Sequence, residues 1–211
     1  QGILEALSGM PVDVEFLSFD DVLAGGLEGF DVAINAGDAG TAFSGGRRWD
    51  DPALEAAVRE WVYNGGGLIG VGEPTAYPKN GRYFALADVF GVDKEQGFTL
   101  STDKYNLKKA ERHFILEDVE GAVDYGEGMK GIYAKPDATV LDIEGQDVFM
   151  AVNDYGKGRA VYIAGLPYSV QNERILYRAC HYAAHKEALL KRRYCDDTAV
   201  TVQYYPQIGE Y

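Results

Sequence analysis

Apolar and polar positions recur along this chain with two periods, and the switches between them mark out the elements. Residues 3–8 carry a short helical pattern stopped at Gly9. Val12–Leu17 (VDVEFL) alternates apolar with acidic residues, which predicts a strand. Asp20 and Asp21 stand where an N-cap belongs, ahead of a short helix at 21–24. Asp31–Asn35 is a compact apolar strand. Pro52 opens an amphipathic helix over 52–63, with Leu54, Val58, Trp61 and Val62 at helical spacing on one face. Asn64–Gly67 (NGGG) ends it. Leu68–Val71 is continuously apolar, the pattern of a strand covered on both faces.

The second half is less regular. Tyr83–Phe90 reads as a helix stopped by Gly91, and residues 92–112 read as a polar excursion. Strands are expected near 113–116, 130–134, 138–143, 147–152 and 159–163. The last two are joined by Asn153–Gly158 (NDYGKG), a hairpin signal. A helix from about 171 to 190 closes the domain, and Val200–Tyr205 alternates like a further strand. Helix and strand alternating over the first 71 residues imply an α/β fold with parallel strands in a doubly wound sheet.

Composition narrows the function classes. A chain of 211 residues holds one large domain, and 46% hydrophobic residues suffice for a core. The net charge of −13 repels nucleic-acid backbones and anionic lipid, and makes the domain a poor sole binder of phosphate. Two cysteines, Cys180 and Cys195, are too few for a disulfide framework and fit a reducing cytoplasm. No stretch has the order of a signal peptide or the length of a membrane span. Both ends look cut, with residues 1–9 already reading as a helix in progress and a strand pattern near the close.

Two loops following strands are chemically interesting, because ligands of open α/β sheets collect beyond the strands' carboxyl ends. Gly70–Thr75 (GVGEPT) has the layout of a nucleophile elbow, with Glu73 at the position where class I glutamine amidotransferases carry a cysteine. A carboxylate there can act as acid or base, bind a polar ligand, or tie down neighbouring N–H groups. Asn35–Thr41 (NAGDAGT) is glycine-rich but matches neither a dinucleotide fingerprint nor a P-loop, and Asp38 opposes phosphate. An Asp38 side chain bonded to its own backbone is expected. Asp38, Thr41 and Glu73 are therefore the ligand-binding candidates. His181 and His185 are four apart beside Cys180, yet both fall off the arc of Ile175, Leu176, Ala179, Ala183 and Leu190. They read as exposed histidines; no metal site and no cofactor is expected.

Ile34–Ala76 resembles the central domain of the lacto-N-biose phosphorylases (1,3-β-galactosyl-N-acetylhexosamine phosphorylases, glycoside hydrolase family 112). Phe90–Glu95, Ser101–Tyr105, His113–Ile115 and Tyr155–Ser169 carry the same resemblance, which runs from Gly2 to about Tyr205. It implies a class I glutamine amidotransferase-like, flavodoxin-like fold: a doubly wound, mostly parallel sheet with an antiparallel hairpin, over residues 1–195. Residues 196–211 would begin a β-rich segment. It also implies neighbours in one polypeptide, an N-terminal TIM-barrel catalytic domain and C-terminal β domains. The barrel would carry the general acid and the phosphate-binding arginines of a phosphorolysis that releases galactose 1-phosphate. The chain itself would be a non-catalytic cytoplasmic domain, with no catalytic residue of its own. A sugar-binding or oligomerisation module is the alternative, and a homo-oligomer a further expectation.

Overall fold

The computed structural model describes residues 2–97 and 108–191. The elements are α1 (Gly2–Ser8), α2 (Phe19–Leu23), β1 (Val32–Gly37), α3 (Pro52–Tyr63), β2 (Gly67–Gly72), β3 (Ala76–Lys79), β4 (Arg82–Phe84), α4 (Ala87–Phe90), β5 (Val92–Lys94), β6 (Ile132–Ala134), β7 (Thr139–Glu144), β8 (Asp147–Tyr155), β9 (Gly158–Ile163) and α5 (Val170–Ala183). Single 3-10 turns stand at Gly46–Asp50, Phe114–Leu116 and Glu187–Leu189.

The central sheet has five strands in the order β1-β2-β9-β8-β7. β1, β2 and β9 run parallel, while β8 is antiparallel to both of its neighbours. Half of the pairings are thus antiparallel. This corrects the expected class I glutamine amidotransferase-like, flavodoxin-like sheet: the fold is a mixed α/β sheet, not a doubly wound, mostly parallel one. Two features of the chain produce the difference. β7, β8 and β9 follow one another through tight turns, which forces antiparallel neighbours. And Val12–Leu17, which would have extended the parallel side, forms no strand. Its residues are exposed, so β1 is the edge strand.

The sheet is covered on both faces, and its strands alternate accordingly. Leu68, Ala160 and Tyr162 face a core made with Leu54, Val58 and Val62 of α3 and with Val89 and Phe90 of α4. Ile69, Val71, Val161 and Ile163 face Ile175, Leu176 and Ala179 of α5 and Ala6 of α1. Burying a side chain of this size contributes about 1.5–3 kcal/mol, so the two faces of β2 and β9 carry most of what fixes their register.

Local chemistry explains the helix ends. Asp51 caps α3 by accepting from Ala53 N–H at 2.9 Å, with Pro52 preset in the first turn. For α2 the cap is Ser18, two residues before the first of the expected aspartates, in a reciprocal box with Asp21. α5 stops at Ala183, short of the expected 190, and His185 then adopts a left-handed φ of 56°.

Other expected elements also give way. His113–Leu116 is a turn rather than a strand, capped by the His113 ring. Of the helix expected over 83–90, only 87–90 is helical. Asp93 takes the N–H groups of Tyr83 and Phe84 at 2.9 Å each and holds that end extended as β4. The motif at 101–105, Cys195, the strand expected at 200–205 and the segment 196–211 lie outside the described residues.

Candidate functional site

The carboxyl ends of β1 and β2 lie side by side, with Gly37 opposite Gly72. The loops leaving these two strands bring Asp38, Thr41 and Glu73 into one cluster. Glu73 N–H donates to Gly37 O at 3.0 Å. The Glu73 carboxylate reaches back over the β1 loop, where Oε2 accepts from Ala39 N–H at 2.6 Å. Oε1 accepts from the Tyr83 hydroxyl at 2.5 Å, with Lys94 Nζ at 3.5 Å. Lys94 Nζ also lies 4.6 Å from the centre of the Tyr83 ring.

Both carboxylate oxygens are therefore engaged, and the charge is balanced locally. Partial burial pushes the Glu73 pKa up, but Tyr83, the Ala39 N–H and Lys94 together hold it below the ordinary value. Burial and the facing carboxylate push the Tyr83 hydroxyl well above its usual range. A carboxylate held ionised and saturated with donors is a poor general acid at neutral pH.

The loop Asp38–Ser44 is built inward. The Asp38 carbonyl accepts from Thr41 N–H at 3.2 Å, Thr41 Oγ1 at 2.8 Å and Ser44 Oγ at 2.7 Å. This corrects the expected self-bonded Asp38 side chain: the backbone oxygen is the hub. The Asp38 carboxylate is exposed and makes no hydrogen bond or ion pair among the described residues. Asn35 joins the two loops, giving Nδ2 to Phe43 O and Ser44 O and accepting Thr75 N–H at Oδ1, 2.8 Å away.

The elbow differs from expectation too. No helix follows Glu73; the chain goes into β3. The left-handed non-glycine residue is Thr75, at φ 54°, fully buried and receiving Leu86 N–H on its hydroxyl. The strain of the turn thus falls on an inward-facing threonine and not on an outward side chain.

Asn35, Tyr83, Asp93 and Lys94 belong to this cluster and were not singled out from sequence. Asp93 is buried and accepts N–H from Tyr83, Phe84 and Lys94. Burial pushes its pKa up against those three bonds. The resemblance motif Phe90–Glu95 was the one signal that pointed at Asp93 and Lys94.

A second concavity of about 980 Å3 lies between residues 109–125 and the outer strand β7. Its most enclosed carboxylate, Asp142, is also spoken for, by Tyr125 Oη at 2.8 Å and Lys109 Nζ at 2.5 Å. The histidine pair is not assembled. His181 Nδ1 contacts Tyr177 O at 2.9 Å, while His185 lies beyond the end of α5 on a left-handed residue. Among the described residues no group of three histidine, cysteine or acidic side chains could hold a metal, and no helix is long and apolar enough to cross a membrane.

Comparison with known proteins gives a consistent picture. The family described as the lacto-N-biose phosphorylase central domain matches residues 1–188. A 1,3-β-galactosyl-N-acetylhexosamine phosphorylase of Lachnoclostridium phytofermentans, Cphy3030, is 52% identical over 212 residues, all of this chain and 29% of the relative. A namesake from Bifidobacterium longum subsp. longum is 42% identical over 244 residues, all of this chain and 32% of the relative. A D-galactosyl-β-1→4-L-rhamnose phosphorylase of L. phytofermentans is 34% identical over 199 residues, 92% of this chain and 27% of the relative. The chain thus spans about 29% of the length of the first of these relatives.

Among solved structures, a β-galactosidase from Rahnella sp. R3 superposes with a TM-score of 0.58 at 19% identity, covering 89% of this chain and 26% of that one. The cytoplasmic protein STM3548 of Salmonella typhimurium gives 0.60 at 17% identity, over 86% of this chain and 85% of that one. These neighbours show the fold alone; it is that of a β-galactosidase domain and of STM3548, in place of the amidotransferase-like one expected.

Proposed function

The chain belongs to the lacto-N-biose phosphorylase central-domain family, and from that premise we propose that it is the non-catalytic central domain of a phosphorylase. The reaction of the whole polypeptide is cleavage of galactosyl-β-1,3-N-acetylhexosamine by phosphate, giving galactose 1-phosphate and N-acetylhexosamine. The phosphorylases named for 1,3-β-galactosyl-N-acetylhexosamine are 52% and 42% identical, against 34% for the one named for galactosyl-rhamnose, which favours the former substrate class. The catalytic groups sit on an N-terminal TIM barrel, with β domains on the C-terminal side, in a cytoplasmic enzyme.

The observation that carries the non-catalytic reading is the state of Glu73. It occupies the strand-end position that invites catalysis, yet its oxygens are spent on Ala39, Tyr83 and Lys94. Thr41 is likewise spent on the Asp38 carbonyl and Ser44. Both residues shape the loop, and the net charge of −13 leaves phosphate capture to another part of the polypeptide.

The test is phosphorolysis by the longer polypeptide carrying this domain, with Glu73→Gln beside the parent sequence. Galactose 1-phosphate release should persist in the variant within a few-fold. A loss of several orders of magnitude in kcat, with the fold intact, would make Glu73 catalytic and end this reading. The sugar-binding alternative rests on the exposed Asp38 carboxylate. Calorimetry with galactose and with galactosyl-β-1,3-N-acetylglucosamine at millimolar concentration decides it, since a heat of binding abolished by Asp38→Ala would favour that alternative.

A further inference from the structure

Among the described residues an apolar surface stands exposed. Val12, Val14, Phe16 and Leu17 are 37%, 46%, 73% and 36% exposed, and Phe43 is 73% exposed. Residues 12–17 alternate as a strand does, but they form no ladder, and β1 ends the sheet. Scattered apolar side chains are ordinary on a surface, but a run of them marks a contact.

Each of the two exposed phenylalanines is tethered close to the same junction. The Phe19 ring packs edge-on against Trp49, 5.6 Å between centres, and fills the space beside Gly45. Phe16 is three residues from Phe19 and Phe43 two from Gly45, so chain length alone keeps each within about 11 Å of that junction.

The backbone of the Phe43 loop is also tied down by hydrogen bonds. Its carbonyl and that of Ser44 are held by Asn35, Ser44 O also accepts from Trp49 Nε1 at 2.5 Å, and Glu73 anchors the loop at Ala39. A preorganised aromatic loses little entropy on docking, which suits an anchor.

We propose that Val12, Val14, Phe16 and Phe43 form the surface by which this domain docks onto the remainder of the same polypeptide. The proposal rests on the reading of the chain as one domain of a phosphorylase. Two observations choose this occupant over a second copy. In the relatives the matched region is 29–32% of the polypeptide, so a larger body is at hand. And Asp13 and Glu15 interleave with the apolar residues of a chain already at −13, which opposes pairing of like with like. The complementary face is apolar at its centre and rimmed with lysine or arginine.

Hydrogen–deuterium exchange tests this, comparing the 211-residue chain with the longer polypeptide. In the chain alone, amides 12–17 exchange freely, since no ladder protects them. In the longer polypeptide, exchange at 12–17 and 41–45 should slow by about tenfold or more. Phe16→Ser with Phe43→Ser should abolish that slowing while leaving the melting midpoint of the chain alone unchanged. Equal, fast exchange in both contexts would overturn the proposal. So would a chain that dimerises by light scattering and whose dimer the double variant dissolves, because the occupant would then be a second copy. Absence of phosphorolysis in the longer polypeptide would count against the enzymatic reading and leave the exchange result standing.

Discussion

Removing the Glu73 carboxylate should loosen the whole end of the sheet. Glu73→Ala deletes two short charge-assisted bonds, from Tyr83 at 2.5 Å and from Ala39 at 2.6 Å, and an ion pair with Lys94 at 3.5 Å. Bonds to a charged group contribute about 1.5–3 kcal/mol each, and a part-exposed ion pair at most about 1. The three share one carboxylate and do not add in full, and the site is partly open to water. The expected cost is about 2–3 kcal/mol for Glu73→Ala and about 1–2 for Glu73→Gln, which keeps one acceptor. For a domain of this size that is about 4–12 °C in Tm for the alanine variant. Thermal and urea unfolding at pH 7, followed by circular dichroism, measure it.

The pH dependence follows from the depressed pKa of Glu73. An acid whose folded pKa lies below its unfolded value, about 4.3, contributes stability above that value. The contribution fades as pH falls through the folded pKa. The gap between parent and Glu73→Gln should therefore be full at pH 6–7 and narrow toward pH 3. A gap below about 0.5 kcal/mol at pH 7, or one that widens on acidification, would refute the loop-tie assignment.

Three further outcomes are expected. Gly45→Ala must place a methyl at φ 98°, within 2.5 Å of the Phe19 ring and 2.6 Å of Trp49 Nε1, and should cost about 2–4 kcal/mol by urea titration. Arg59→Ala removes a paired contact to Asp88 at 2.9 and 3.0 Å together with bonds to Glu55 and Ala85 O; unfolding should show a loss of about 2–4 kcal/mol, larger than any exposed arginine gives. Burial pushes the Cys180 thiol up to about 12 although the residue keeps some exposed area, so it should react slowly with a disulfide reagent at pH 8 until the chain unfolds. Cys180→Ser should then leave the fast-reacting thiol count unchanged.

The regular elements were legible because each is decided within a few residues. Helix 52–63 has its cap, its proline and its apolar face in one stretch, and the turn between β8 and β9 is written in Gly156 and Gly158. Elements decided by distant partners were not. Val12–Leu17 has the strand period, but period reports burial only when a neighbour is present to pair with. Tyr83 and Phe84 read as helix because nothing local reveals that Asp93, about ten residues on, takes their N–H groups.

The same holds at the site. Glu73 was found from its place after β2, and Asp38 and Thr41 from theirs after β1. The partners that define what Glu73 does, Tyr83 and Lys94, lie 10 and 21 residues away in sequence, on strands whose positions follow only from the fold. The strand order was beyond reach for a related reason. The parallel half was visible in the α/β alternation, but whether β7, β8 and β9 joined that sheet depended on pairings no local pattern encodes.

The most direct test of the central claim is phosphorolysis by the 211-residue chain itself. The folded chain, its melting transition checked beforehand, is incubated with galactosyl-β-1,3-N-acetylglucosamine and phosphate, and galactose 1-phosphate is measured. The account predicts none above the protein-free control. Sustained, enzyme-proportional release would place catalysis in this domain and contradict it.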